Sequence, residues 1–496
     1  MQATWRVLTA LRRPAAALHT RAPPNLPHPK QINSLISRST SARELLGLHE
    51  KYDEAFDSIH LATSWSRLGK VSASDRSWLR SDDGAPLVAL REQTKERVQE
   101  FGAQAVSTTA HAMAKLDLRG AAWGSLWKEV EGAALARRRE FKPQELANTA
   151  WAFATAGRAT HALMGAVAEE SAGRVRAFNA QDLTNTAWAL ATAGHAAPAL
   201  FDAIGTEALG RVGEFKPQNL ANTAWAFAKA DHATPALFDA IGRESAGRVR
   251  EFTPQNLANT ARAFAKAGHA APALFGAIGK ESAGRMDEFK PQELTTTASA
   301  FVKAGHAAPA LFDAIGKECS GRVREFNPQA LANTAWAFAT AGHAAPALFD
   351  AIGMESAGRV HEFVPQALAI TAWAFATAGH AAPALFDAIG RESAGRVRIH
   401  PAEPGQHGLG VRQSWPCRPG ALRRDWEGVC GADGRVQAAG ADQHGVSICQ
   451  SRPCRPGALR RDWEGVFRPG ARVQLTGPGQ HGVGVCHGRS CRPGAL

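Results

Sequence analysis

An all-α fold, an α-solenoid of 37-residue helix–turn–helix repeats, is predicted by three observations. The segment Phe326–Gly353, FNPQALANTAWAFATAGHAAPALFDAIG, occurs seven times with small changes, opening at Phe141, Phe178, Phe215, Phe252, Phe289, Phe326 and Phe363. Each opening follows the last by 37 residues. Inside each unit the apolar residues keep helical spacing, and proline and glycine punctuate it twice. A fixed period of about 20–50 residues marks a solenoid, in which a unit buries its apolar face only against its neighbours.

The first helix of a unit starts at the proline. In Phe141–Leu146, Pro143 suits the first helical position, where its missing N–H costs nothing. Phe141 and Leu146 are then spaced as a hydrophobic staple, and Glu145 favours the positive end of the helix dipole. Phe326, Pro328 and Leu331 repeat the arrangement. Gly157, Gly194 and Gly342 are placed to end the helix in a left-handed turn. Pro198 opens the second helix, where Leu200, Phe201, Ile204 and Ala208 share a face and Glu207 and Arg211 form an i,i+4 pair found in all seven units. Gly205 inside this helix costs about 1 kcal/mol against alanine, so close helix packing is its expected reason.

Four regions follow along the chain. Residues 1–43 hold seven basic residues and no acid, with Trp5, Val7, Leu8 and Leu11 able to line one side of a short helix. Such a segment reads as an organelle transit peptide; a disordered basic tail is the alternative. Residues 44–140 carry worn repeats. The run from Phe101, FGAQAVSTTAHAMA, matches the FxPQxLANTAWAFA frame position by position, and a more distant copy starts at Phe56. Residues 141–398 are the seven clear units. Residues 399–496 change alphabet to Gly, Pro, Arg and Cys, yet Cys417, Cys454 and Cys491 keep the spacing of 37, as do His407, His444 and His481. One nucleotide sequence encodes both RPGALRRDWEGVCG and, read one base later, APALFDAIGKESAG, which is nearly Ala271–Gly284. The tail therefore reads as out-of-frame repeat sequence that forms no packed structure.

The formal charge of +12 is placed unevenly. The seven units contain 23 basic and 23 acidic residues, so the excess lies in the leader and the tail. Overall basicity is thus no argument for nucleic acid, and any basic path must be local. No run approaches the roughly 18 apolar residues of a membrane span. Six of seven cysteines lie in the tail without a CxxC pair, which speaks against zinc and against a disulfide framework.

Catalytic constellations, cofactor motifs and a small-molecule site are absent from the sequence. Gly279-Lys280-Glu281 lacks the Ser/Thr and the glycine-rich strand–helix context of a phosphate loop. His195, His232, His269, His306, His343 and His380 recur once per unit. Stacked helices about 8–10 Å apart cannot bring them to the ~2 Å distances of a shared zinc ion, so they read as turn or cap residues.

The first helix carries the informative pattern. Gln144, Asn148, Trp151 and Thr155 lie at i, i+4, i+7 and i+11, a polar and aromatic stripe beside the Leu146–Ala150–Phe153 core face. Much of the variation between copies falls on this stripe. Trp151, Trp188, Trp225, Trp336 and Trp373 give way to Arg262 and Ser299; the threonines give way to Lys229, Lys266 and Lys303; Asn148, Asn185, Asn222, Asn259 and Asn333 give way to Thr296 and Ile370. A face that varies over a constant core is what a modular reader of bases shows. The alternatives are an asparagine ladder between repeats, tryptophan packing and a solvated lysine face.

The FxPQxLANTAWAFA signature, in 37-residue units behind a transit-like N-terminus, resembles the octotricopeptide/heptatricopeptide-type repeat proteins of algae and protists. It is also similar to the FAST-kinase-like and RNA-editing substrate-binding-complex helical domains, which often end in a RAP domain; no RAP-like sequence is visible here. The resemblance spans roughly Ile32–Arg398. It implies binding of single-stranded organellar RNA in a mitochondrial matrix or plastid stroma, for processing, stabilisation, editing or translation, with RNA-processing proteins as further partners. The expected protein is therefore a non-catalytic RNA-binding solenoid without cofactor or metal. The rivals are a protein–protein scaffold of the same shape and a frameshifted gene copy without intact function.

Overall fold

Each clear unit folds as the helix pair that its punctuation predicts. The computed structural model describes residues 27–398; residues 1–26 of the expected leader and the whole 399–496 tail lie outside the described residues. The seven units comprise α8 (Pro143–Thr155) with α9 (His161–Ala172), α10 (Ala180–Ala193) with α11 (Pro198–Gly210), α12 (Pro217–Lys229) with α13 (Pro235–Gly247), and α14 (Pro254–Ala267) with α15 (Pro272–Ala283). They continue with α16 (Pro291–Lys303) and α17 (Pro309–Gly321), α18 (Pro328–Ala341) and α19 (Pro346–Gly358), and α20 (Pro365–Ala378) and α21 (Pro383–Arg398). Ahead of them lie α1 (Pro29–Arg38), α2 (Ala42–Tyr52), α3 (Ser58–Leu68), α4 (Ala73–Leu79), α5 (Val88–Arg97), α6 (Ala103–Lys115) and α7 (Gly124–Ala136). No strand occurs among the described residues.

The worn repeats obey the same local rules. Phe56 and Phe101 are buried at the mouths of α3 and α6, as Phe141 is at α8. Asp117 takes a left-handed φ of 60° after α6, where Gly157 takes 66° after α8. In the third clear unit Asp231 holds this slot with φ 53°, and short Asp side chains tolerate that region better than most. Within the leader expected to reach Arg43, α1 packs on α3, burying Ile32 and Ile36. Removal as far as Arg43 would take that helix out of the core.

Two interchangeable devices cap the first helices of the first six clear units. Where the residue before the proline is lysine, the side chain three residues on accepts its N–H: Glu145 from Lys142 at 2.9 Å, Asn219 from Lys216 at 3.2 Å and Glu293 from Lys290 at 2.9 Å. Where the residue before the helix is Asn179, Thr253 or Asn327, its own oxygen accepts the N–H of Asp182, Asn256 or Ala330. Either way one orphan donor of the helix start is satisfied. Asp182 is the misfit: it is buried, and burial raises its carboxyl above the usual range. A raised folded value makes its charge destabilising above that value and neutral in effect once acid protonates it. Asp182→Asn is expected to raise the melting temperature at pH 7, with the gain fading toward pH 3; an equal gain at both pH values would contradict this origin.

The units interlock through a small-to-large contact. A methyl added to Gly205, Gly242, Gly316 or Gly353 would lie 3.2–3.3 Å from the ring of Phe227, Phe264, Phe338 or Phe375 in the next unit. This is the packing reason for a glycine inside the second helix. The first unit carries Ala168 at that position, and there the next unit carries Leu190 in place of phenylalanine. The extra methyl and the smaller partner compensate, as close-packed interiors demand.

Polar ties fix the rest of the geometry. Arg322 donates to the Phe289 carbonyl at 3.0 Å, to Glu318 at 2.9 Å and to Glu325 at 2.8 Å. Arg211, Arg248, Arg285 and Arg359 repeat this three-way tie, joining the end of a unit's second helix to the start of its first. Between units, His232, His269, His343 and His380 reach Asp202, Asp239, Asp313 and Asp350 of the preceding unit at 2.7–2.9 Å. Four of the six recurring histidines are thus inter-unit rungs, while His195, which has Gly165 at the partner position, packs on His161 at 4.6 Å. Gly276 stands where the partner of His306 would be, and His306 instead packs against Phe275 at 5.3 Å.

The first helices form one layer, α1–α3–α6 followed by α8, α10, α12, α14, α16, α18 and α20, and the second helices form the other. Alanines such as Ala147, Ala150, Ala221 and Ala224 are fully buried between the first helices and let them approach closely. Among the described residues no helix is long and apolar enough to cross a membrane.

Candidate nucleic-acid interface

The stripe read from the sequence occupies the edge of the first-helix layer. Gln144 is exposed, Asn148 and Trp151 are half-buried, and the core face behind them is sealed. Leu146, Ala150 and Phe153 are at most 1% exposed, so the stripe is presented on a rigid wall. The same holds down the array for Asn185 with Trp188, Asn222 with Trp225, and Asn333 with Trp336.

The tryptophans lie against the core rather than projecting from it. Trp151 and Trp188 have centroids 6.5 Å apart at 33°, and Trp188 and Trp225 stack at 6.0 Å and 30°. His111 continues the column at 5.0 Å from Trp151. It occupies the tryptophan position of the worn unit, and burial, then Lys115, push its imidazole below the usual range. The register of FGAQAVSTTAHAMA carries this signal, and it also places the exposed Lys115 at the lysine position. Neither residue is singled out by the stripe of the seven clear units.

The cations are held on the same face. Lys229 Nζ sits 5.6 Å from the Trp225 ring and Lys303 Nζ 5.7 Å from the Trp336 ring. Both are within cation–π range. Lys266 pairs with Asp231 at 3.3 Å. Arg262 is exposed and makes no hydrogen bond or ion pair among the described residues.

The polar members divide. Asn148, Asn185, Asn222 and Asn259 form no side-chain hydrogen bond among the described residues, so no asparagine ladder joins the repeats. Asn333 accepts from Gln329 at 3.2 Å. Thr155 and Thr192 are half-buried and turn their hydroxyls inward, where these oxygens are buried without a partner among the described residues. Gln144 has exposed counterparts at Gln104, Gln181, Gln218, Gln255, Gln292, Gln329 and Gln366, an unbroken column of which only Gln144 stands out in the first-unit stripe. Trp373 lies half-buried at the same level of α20.

A nucleophile or acid–base pair is not assembled on this face. Cys319 is 1% exposed and burial pushes its thiol up to about 12, so it packs as an apolar residue. What the face offers is ring edges, unbonded amides and cations at repeat spacing.

Residues 245–404 match the family described as RNA-editing substrate-binding complex 6 protein. Residues 138–149, 158–186 and 212–223 match a second family, described as a protein of unknown function. No curated protein matches the chain.

Proposed function

We propose that this chain is a non-catalytic RNA-binding solenoid of organellar RNA metabolism that holds single-stranded RNA along its first-helix layer. The observation that carries the reading is the stripe itself: Asn148, Asn185, Asn222 and Asn259 are half-buried amides without protein partners, beside half-buried rings and the exposed Arg262. A packing role would have used those amides; a ligand-binding role leaves them open. Similarity to a family named for an RNA-editing substrate-binding complex, over residues 245–404, supports RNA as ligand and other proteins as partners. The acid-free basic N-terminus supports import into a mitochondrion or plastid, and a removable leader ending before Pro29 would leave α1 in the core.

The cations supply a test. Changing Lys229, Lys266 and Lys303 together to alanine in the full chain should weaken binding of a random single-stranded RNA pool. It should also flatten the salt dependence, by a slope of about 0.7 for each phosphate no longer neutralised. The three side chains are surface groups, so the melting temperature should stay within a few degrees. Unchanged affinity and slope would remove these lysines from the interface. If the unmodified chain binds no such pool even at low salt, the protein–protein scaffold takes precedence.

A further inference from the structure

The ring column is not uniform. Trp188 has Trp151 on one side and Trp225 on the other, at 6.5 and 6.0 Å. Trp151 is likewise flanked by His111 and Trp188. Rings covered by neighbours on both sides have no face to give a base. In the fourth and fifth units the column is interrupted, because Arg262 and Ser299 stand at the ring positions. It stops at Trp225 and resumes at Trp336, so the Trp225 side toward α14 and the Trp336 side toward α16 border positions without rings.

The cations of the stripe collect around this gap. Lys229 and Lys303 lie over the two bordering rings, and Arg262 and Lys266 lie between them. Asp231 is paired with Lys266 within the set. Asn259 adds an unbonded amide at the rung of Arg262, while Thr296, at the asparagine position of the next unit, spends its hydroxyl on the Gln292 carbonyl at 2.7 Å. The gap thus combines ring sides without ring neighbours, positive charge and a polar edge, which the covered rungs upstream do not.

We propose that the gap over α14 and α16 is where this protein reads its RNA. A short unpaired segment of about two nucleotides, at one base per helical repeat, lies between Trp225 and Trp336. Its flanking bases stack on those two rings, its phosphates meet Lys229, Arg262, Lys266 and Lys303, and the Asn259 amide faces a base edge. Trp151 and Trp188 serve to hold the column together. The inference rests on the RNA reading above and narrows it to one place and to specific side chains.

Ser299→Trp tests it without altering any charge, by adding a ring beside Trp336. Binding of the full chain to a fluorescent random 12-nucleotide RNA pool should weaken at least about fivefold, given the worth of one stacked base, while the melting temperature holds or rises. Trp188→Ala should do the opposite, lowering the melting temperature with affinity kept within about threefold. Trp225→Ala gives the same reading should Ser299→Trp fail to fold, with an expected loss of at least fivefold. Equal or tighter binding by Ser299→Trp, or equal losses for Trp188→Ala and Trp225→Ala, would overturn the gap and leave a uniformly stacking column. Absence of any RNA binding by the unmodified chain would remove the RNA reading, and the gap with it.

Discussion

Phe338→Ala is expected to destabilise the array by about 3–5 kcal/mol, the usual cost of deleting a fully buried ring. Phe338 is 0% exposed, lies edge-on to Phe312 at 5.1 Å and covers Gly316 of the preceding unit. The neighbouring helices cannot collapse into the space, because each is held from the other side by its own unit. Stability in a solenoid is a sum of unit terms and nearest-neighbour interfaces. A loss concentrated at one interface should therefore divide a single thermal transition, followed by circular dichroism, into two. The pair Gly316→Ala with Phe338→Leu, which copies Ala168 and Leu190, should recover much of the loss. A single transition with an unchanged midpoint for Phe338→Ala would show that the interface contributes little.

Arg322→Met should cost about 2 kcal/mol, from hydrogen bonds to charged partners discounted for partial exposure. The change strands the Phe289 carbonyl and leaves Glu318 and Glu325 facing each other without a cation. Arg322→Lys should restore little, since an ammonium cannot fork toward three acceptors as a guanidinium does. Acid supplies a signature. The hydrogen bonds from Arg322 hold the Glu325 carboxyl below its ordinary 4.5. A depressed carboxyl contributes stability that is present above its unfolded value and is lost as pH falls through its folded one. The gap between Arg322→Met and the unmodified chain should therefore be widest near neutrality and narrow well below pH 4.5; a pH-independent difference would rule out the ionic part of the tie.

Much of this architecture could be read from the chain because it is written in local rules. Pro143, Phe141 and Leu146 set a helix start within six residues, and Gly157 sets its end. Even the role of Gly205 was accessible, since an interior glycine needs a close neighbour to justify it. The contacts between residues far apart in the chain were not. His232 meets Asp202 of the preceding unit over 30 residues, and Arg211 meets the Phe178 carbonyl of its own unit over 33. The sequence shows Glu207 and Arg211 as a surface pair, but a backbone carbonyl has no letter of its own. The stripe was legible as one helical face. That the Thr155 hydroxyl turns inward, and that Trp151, Trp188 and Trp225 cover one another, depends on how far each helix is rotated against the next, which spacing within one helix does not encode.

The joint between units has a consequence for heredity. Its two halves, Gly316 and Phe338 or their counterparts, recur at the same place in successive units. Unequal crossing-over that deletes or copies one whole 37-residue block within the Gly–Phe part of the array brings a glycine against a phenylalanine again, wherever the crossover falls. Only the Ala168–Leu190 junction must be inherited as a pair. Array length is therefore set by copy number, with no new packing solution to be found at each change. The same event that lengthens the scaffold also adds one more set of stripe residues for selection to alter.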